Sequence, residues 1–360
     1  MKVAIGSKLV EGPWGGGNLF VKNLKEFLQD RNVSVVHNLT VHDIDIILLT
    51  EPRVESSSSS ITLLEAKLYK KYVNKNVKII HRINECDERK NTSSVNKKMI
   101  NVSNNSDYTI FVSYWIRDLF WKLGLKKNNS KVILSGSNKN IFNNNNYKIW
   151  DKSSKLKILT HHWGNDWNKG FEIYSKLDAL LDNEDFNSKF IFCYIGNLPE
   201  GFRFKNTVYK KPLSGTALAN EIKSHHLYIT GSLNEPSGNH QIEASQCGLP
   251  VMYINSGGIP DYQRDYGIEF NINDMEKKLN EIYYNYEFFY KKNLNFPFSA
   301  EKMNNEYFDL FKSVQNKSEI NLGNIFYFSF YKYLHKLKII NFFKQVLSKF
   351  SYQINKLDHS

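Results

Sequence analysis

A chain of 360 residues is about twice the usual single-domain length, and its 41% hydrophobic, 14% aromatic composition excludes a disordered protein. The formal charge of +12 calls for an anionic partner, whether a nucleotide phosphate, a membrane surface or nucleic acid, and charge alone does not choose among them. Three scattered cysteines, Cys86, Cys193 and Cys247, argue against a disulfide framework or a C-x-x-C zinc site and fit a cytoplasmic protein.

The N-terminus reads as a first buried strand, residues 3–5, because it lacks the apolar core of a signal peptide; nor does any apolar run of about 18 residues offer a membrane span. Gly12-Pro13-Trp14-Gly15-Gly16-Gly17-Asn18 follows. Consecutive glycines let backbone N–H groups approach a phosphate, and Asn18 is placed to cap a helix over 19–30. Alternating β-branched runs at 33–37, 44–49, 77–83, 108–113 and 132–134 predict a parallel sheet wrapped by helices. The run His81-Arg82-Ile83-Asn84-Glu85-Cys86-Asp87-Glu88-Arg89-Lys90 ends one of these strands, where open α/β sheets face their ligand crevice. The serine tract 56–60 reads as a mobile surface loop, and the asparagine tract 143–146 as the start of a linker.

A second α/β series has strands at 156–161, 190–196, 227–230 and 250–254 and helices at 170–181, 218–223 and 240–247. Thr160-His161-His162-Trp163-Gly164 ends its first strand, with Lys169-Gly170 beyond. The stretch Glu235-Pro236-Ser237-Gly238-Asn239-His240-Gln241-Ile242-Glu243 feeds a helix N-terminus, whose free N–H groups suit a phosphate, and it carries two carboxylates suited to sugar hydroxyls. Helices are expected over 275–289 and 300–314, the latter placed to return to the first domain. Residues 316–360 hold seven lysines against Glu319 and Asp358; over 325–350 the lysines interleave with aromatic residues, a composition suited to an anionic membrane surface and equally to a helix pair packing on the core.

The Glu235 to Glu243 spacing, with Pro236, Gly238, Gly248-Leu249-Pro250-Val251 and Gly257-Gly258-Ile259-Pro260 around it, resembles the retaining nucleotide-sugar glycosyltransferases that include glycogen synthases and bacterial group 1 enzymes. The resemblance implies an α/β GT-B fold, two Rossmann-like domains facing each other across a cleft: 1–150 on the acceptor side, 151–300 for the donor, 301–315 returning, and 316–360 as a basic aromatic tail. It implies that Glu235 contacts the donor sugar, that Glu243 holds the ribose, that 237–240 lie near the diphosphate, and that Gly15, Gly16 and Gly17 close over it. Lys169 matches a diphosphate-binding lysine. Gly164 stands where the family usually has an arginine, with His161, His162 and Arg203 as candidate replacements. His81 is expected to face the donor sugar, and Asn84 or Asp87 acceptor hydroxyls.

The resulting expectation is hexose transfer from a nucleotide diphosphate sugar, with retention, to a glycan or lipid-linked acceptor in cell-surface polysaccharide assembly. No cofactor, no metal and no nucleic-acid partner are expected. Asp43-Ile44-Asp45 spells a metal motif, but inside an apolar strand pattern. The protein is expected in the cytoplasm, peripheral to the inner face of the membrane. A sugar-nucleotide epimerase on the same fold and a noncatalytic glycan- or nucleotide-binding protein remain open alternatives.

Overall fold

The computed structural model describes residues 1–10, 15–127, 129–315 and 329–344. Aliphatic and β-branched runs form two wholly parallel six-stranded sheets, whose central strands are buried on both faces as such sheets require. In the first, β1 (Lys2–Ile5), β2 (Ser34–Val36), β3 (Ile46–Leu49), β4 (Lys78–Ile83), β5 (Tyr108–Phe111) and β6 (Ser130–Val132) lie in the order β2-β1-β3-β4-β5-β6. Its helices are α1 (Gly16–Gln29), α2 (Leu63–Tyr72), α3 (Asp87–Lys90), α4 (Val95–Asn104) and α5 (Tyr114–Lys122). In the second, β7 (Leu156–His162), β8 (Phe190–Gly196), β9 (Val208–Lys210), β10 (Leu227–Thr230), β11 (Val251–Ile254) and β12 (Ile268–Phe270) are ordered β12-β11-β10-β7-β8-β9. There α6 (Phe171–Leu180), α7 (Glu184–Lys189), α8 (Gly215–Lys223), α9 (Asn239–Gln246), α10 (Pro260–Gln263), α11 (Met275–Tyr284) and α12 (Tyr286–Asn293) cover the faces. Strand order reverses between β1 and β3 and again between β7 and β10, and at such switch points the strand ends leave a crevice for ligands.

The two sheets are tied together. The Tyr262 hydroxyl accepts from Ser135 N at 2.9 Å and donates to Val112 O at 2.6 Å, and Asp261 accepts from Trp115 N at 3.0 Å. After α12 the chain crosses back: Ser137 and Ser299 form a β-bridge, and a Cβ on Gly136 would lie 2.2 Å from the Ser299 carbonyl carbon and oxygen. Helix α13 (Ala300–Val314) then buries Met303, Tyr307 and Phe311 against Phe20 and Leu24 of α1. A last described helix, α14 (329–344), packs Tyr333 and Leu337 beside Tyr69 and Ile79 on the other face of the first sheet.

Several expectations need correction. The helix expected over 275–289 is two helices, α11 and α12, meeting at Asn285. The serine tract is no free surface loop: Ser59 is buried, Ser58 O accepts from Lys8 N at 2.8 Å, and Ser57 and Ser58 reach the cleft. Of the two readings of the tail, packing on the core holds for residues 329–344; the others, Phe326, Tyr327, Phe328, Lys349 and Phe350 among them, lie outside the described residues. No helix of the described residues is long and apolar enough to cross a membrane.

Candidate active site

Both switch points open into one cleft of about 710 Å³ between the sheets. Gly15, Gly16, Gly17, Asn84 and Arg89 line it from the first domain; His161, Lys169, Glu235, Ser237, Asn239 and Glu243 line it from the second.

At its centre is a buried ion cluster. Lys169 sits in a 3-10 turn after β7, and Gly170, at φ +102°, closes that turn so that α6 can begin. Lys169 Nζ donates to Glu235 Oε2 at 2.6 Å, and Arg89 Nε lies 3.2 Å from Glu235 Oε1. Arg89 reaches across from α3 and also donates to Glu85 Oε2 at 3.1 Å. Burial raises the Glu235 pKa, but Arg89 and Lys169 outweigh it and hold the carboxyl well below its usual range. Glu235 is therefore an anion near neutral pH, an acceptor of hydrogen bonds and not a proton donor. The Gly257-Gly258 pair explains itself here: Gly257 has φ +63°, its Cβ would lie 2.5 Å from Glu235 N and O, and Gly258 N donates to Glu235 O at 2.8 Å.

Glu243 and three histidines form the adjoining wall. Glu243 Oε2 is 3.0 Å from His161 Nε2, while His161 Nδ1 is buried with no hydrogen-bond partner. His162 Nε2 meets the Tyr174 hydroxyl at 2.7 Å, His240 Nε2 meets Thr230 Oγ1 at 2.9 Å, and the two rings lie 4.6 Å apart. Burial pushes His240 down to about 3 and His162 well below its usual value, so both are neutral near pH 7.

Two helix N-termini meet over this wall. The glycine run is itself the start of α1, with Gly15 as N-cap, so Asn18 is not the cap that the sequence suggested; its amide instead clasps Val10 N and O at 3.0 and 2.8 Å. A Cβ on Gly16 would lie 2.6 Å from Asn239 Nδ2 at the start of α9. Gly238, at φ +68°, turns the chain into α9. The free N–H groups of both helices thus border one recess, a setting for an anion. Gly12, Pro13 and Trp14 lie outside the described residues.

The structure brings Glu235, Lys169, Glu243, Gly15 to Gly17, Ser237, Asn239 and His240 to the cleft. It does not bring His81 there. That ring is fully buried, with Nδ1 2.6 Å from Ser103 Oγ of α4, and burial lowers its pKa to about 3. Asp87 is likewise occupied: its carboxylate accepts from Thr92 Oγ1, Val95 N and Asn96 N at 2.6 to 2.9 Å, fixing the turn between α3 and α4. Arg203 is exposed and away from the cleft lining, whereas His161 and His162 line it. Arg82 and Arg89 also line the cleft, as do Lys8, Thr50 and Glu51, none of which was assigned a role from sequence; for the two arginines the polar density of residues 81–90 was the only signal. The metal-capable cluster found among the described residues, Cys193, Glu221 and His225, lies outside the cleft lining, and Lys210 Nζ already donates to Glu221 at 2.7 Å.

No family model and no curated protein matches this sequence. Solved structures do match by shape. HepE from Anabaena, in complex with UDP and glucose, superposes at a TM-score of 0.65 with 13% identity, covering 87% of this chain and 99% of that one. Sucrose-phosphate synthase from Thermosynechococcus elongatus gives 0.59 and 14%, covering 87% and 98%. The lipopolysaccharide outer core galactosyltransferase WaaB gives 0.61 and 13%, covering 87% and 100%. At such identities the likeness is one of fold, and it extends over nearly the whole length of each neighbour.

Proposed function

We propose that this chain, which has the two-domain GT-B fold, is a glycosyltransferase that moves a hexose from a nucleotide diphosphate sugar to an acceptor hydroxyl with retention of configuration. The observation that carries the reading is the Lys169–Glu235 pair at the β7/β10 switch point, facing the glycine-rich start of α1. A structural neighbour, HepE, has been solved with UDP-glucose, which supports a nucleotide sugar as the donor class.

In this reading the ionised Glu235 accepts hydrogen bonds from donor-sugar hydroxyls and Glu243 from the ribose. Lys169 and the helix N–H groups stabilise charge as the diphosphate leaves, where fixed donors act most strongly. Ile195, Pro212, Leu213 and Leu218 give the cleft an apolar end suited to a flat base. The diphosphate itself takes the acceptor proton, so that attack comes from the face it vacates. No protein group is assigned as nucleophile. Release of nucleoside diphosphate from one member of a panel of sugar nucleotides tests the reading; a panel in which none is cleaved sinks it, and an isomerised donor marks an epimerase instead.

The acceptor, in the same reading, is a glycan or lipid-linked sugar met at an anionic membrane surface, as in cell-surface polysaccharide assembly. Support comes from the outer side of α14, where Tyr331, Phe342 and Phe343 are exposed on a helix that also carries Lys332 and Lys338. Replacing the three aromatic residues with serine should abolish sedimentation with vesicles containing anionic lipid while leaving the melting temperature unchanged. Undiminished sedimentation would count against α14 as the contact.

A further inference from the structure

We infer that Arg82 is a binding residue for the donor diphosphate, delivered from the first domain so that the anion is held from both walls of the cleft. This rests on reading the cleft as a nucleotide-sugar site.

Arg82 stands near the C-terminal end of β4, with only 5% of its surface exposed. Burying a cation is costly without a counter-charge. Three cations of the cleft have one: Lys169 and Arg89 pair with Glu235, and Lys90 with Glu85. Among the described residues Arg82 pairs with no carboxylate. Its guanidinium lies instead 3.9 Å from the centre of the Phe20 ring, and its Nε donates to the Tyr307 hydroxyl at 3.1 Å. Those two contacts fix the planar fork. They leave both Nη atoms without a hydrogen bond among the described residues.

The recess that Arg82 lines is also lined by Gly16, Asn239 and Glu243. There the N-termini of α1 and α9 come together, each adding partial positive charge. His161 Nδ1, buried and unpartnered on the main cleft wall beside Glu243, is a further polar atom with nothing to bond. An immobilised guanidinium without a carboxylate, beside two helix N-termini, matches a group with several anionic oxygens. A single carboxylate would leave most of these donors unmet. α13 takes part indirectly, because Tyr307 holds Arg82 in place.

The test is titration calorimetry on the full chain with UDP, GDP, ADP, CDP and dTDP, and with the nucleoside of whichever binds. Arg82→Met keeps the aliphatic stem over Phe20, and Arg82→Lys keeps the charge. Nucleoside diphosphate affinity should fall about 30-fold or more in Arg82→Met, with nucleoside affinity unchanged, in line with loss of a charged hydrogen bond. Arg82→Lys should recover part of the loss. A merely structural arginine would weaken nucleoside and diphosphate alike, and that result, or an unchanged diphosphate affinity, overturns the assignment while leaving the donor site standing. If the unaltered chain binds none of the five, the nucleotide-sugar reading itself falls and Arg82 goes with it.

Discussion

Glu235→Gln should lower the turnover of the cleaved donor about 100- to 1,000-fold, the usual loss when one fixed electrostatic contact to a reacting group is removed. The side chain keeps its volume, so the turn at Gly257 and Gly258 that presses on the Glu235 backbone is undisturbed. What changes is charge. Lys169 at 2.6 Å and Arg89 at 3.2 Å lose their shared counter-ion, and the donor sugar loses an anionic acceptor. Glu235→Ala goes further, leaving the buried Lys169 without a counter-ion beside a void while Arg89 keeps Glu85, and should also cost about 3–5 kcal/mol of stability. Comparing the two variants by steady-state kinetics and thermal melting separates catalytic from structural loss. A Glu235→Gln enzyme within about threefold of the unaltered rate would remove Glu235 from the reaction.

Lys169→Met should cost about 100-fold, mostly in kcat, because the ammonium acts where charge develops on the leaving diphosphate. It should also change how the rate depends on pH. Burial pushes the Glu235 carboxyl up, and Arg89 and Lys169 together pull it down further. Removing one of those cations raises its pKa. Activity that needs the carboxylate is lost as pH falls through the folded-state pKa, so the acid limb of the profile should move to higher pH. Because Lys169 and Glu235 are in contact, the double variant Lys169→Met/Glu235→Gln should lose far less than the product of the single losses. Strictly multiplicative losses would mean that the two act at separate places.

The main lines of this fold could be read from hydrophobic pattern because parallel strands buried on both faces leave continuous aliphatic runs, such as Ile46 to Leu49. The three-residue edge strands β9 and β12 leave no such run, and β9 is exposed throughout. Helix α2 carried a readable capping box, Thr62 with Glu65, but its apolar residues are spread around the helix and do not outline one face. At the site, Glu235, Lys169 and Glu243 were legible through the family resemblance, which rests on the Glu235 to Glu243 spacing, the glycines and prolines flanking it, and Lys169-Gly170. The placement of His81 was not. On a strand with both faces covered, alternation assigns a side chain to a face and does not distinguish cleft from core, and here Ser103 on α4 receives the ring. Arg89 was illegible for a related reason: its partner Glu235 is far away in sequence and joins it only when the two sheets face each other.

The most direct measurement is proton NMR of an α-linked sugar nucleotide incubated with the full chain, with water as the acceptor so that the natural one need not be known. Released nucleoside diphosphate should accumulate with free hexose that is first α and only later equilibrates to the β anomer, and Glu235→Gln should slow both signals together. Initial release of the β anomer would contradict retention. An isomerised donor without nucleoside diphosphate, or no change that depends on Glu235, would contradict the glycosyltransferase reading itself.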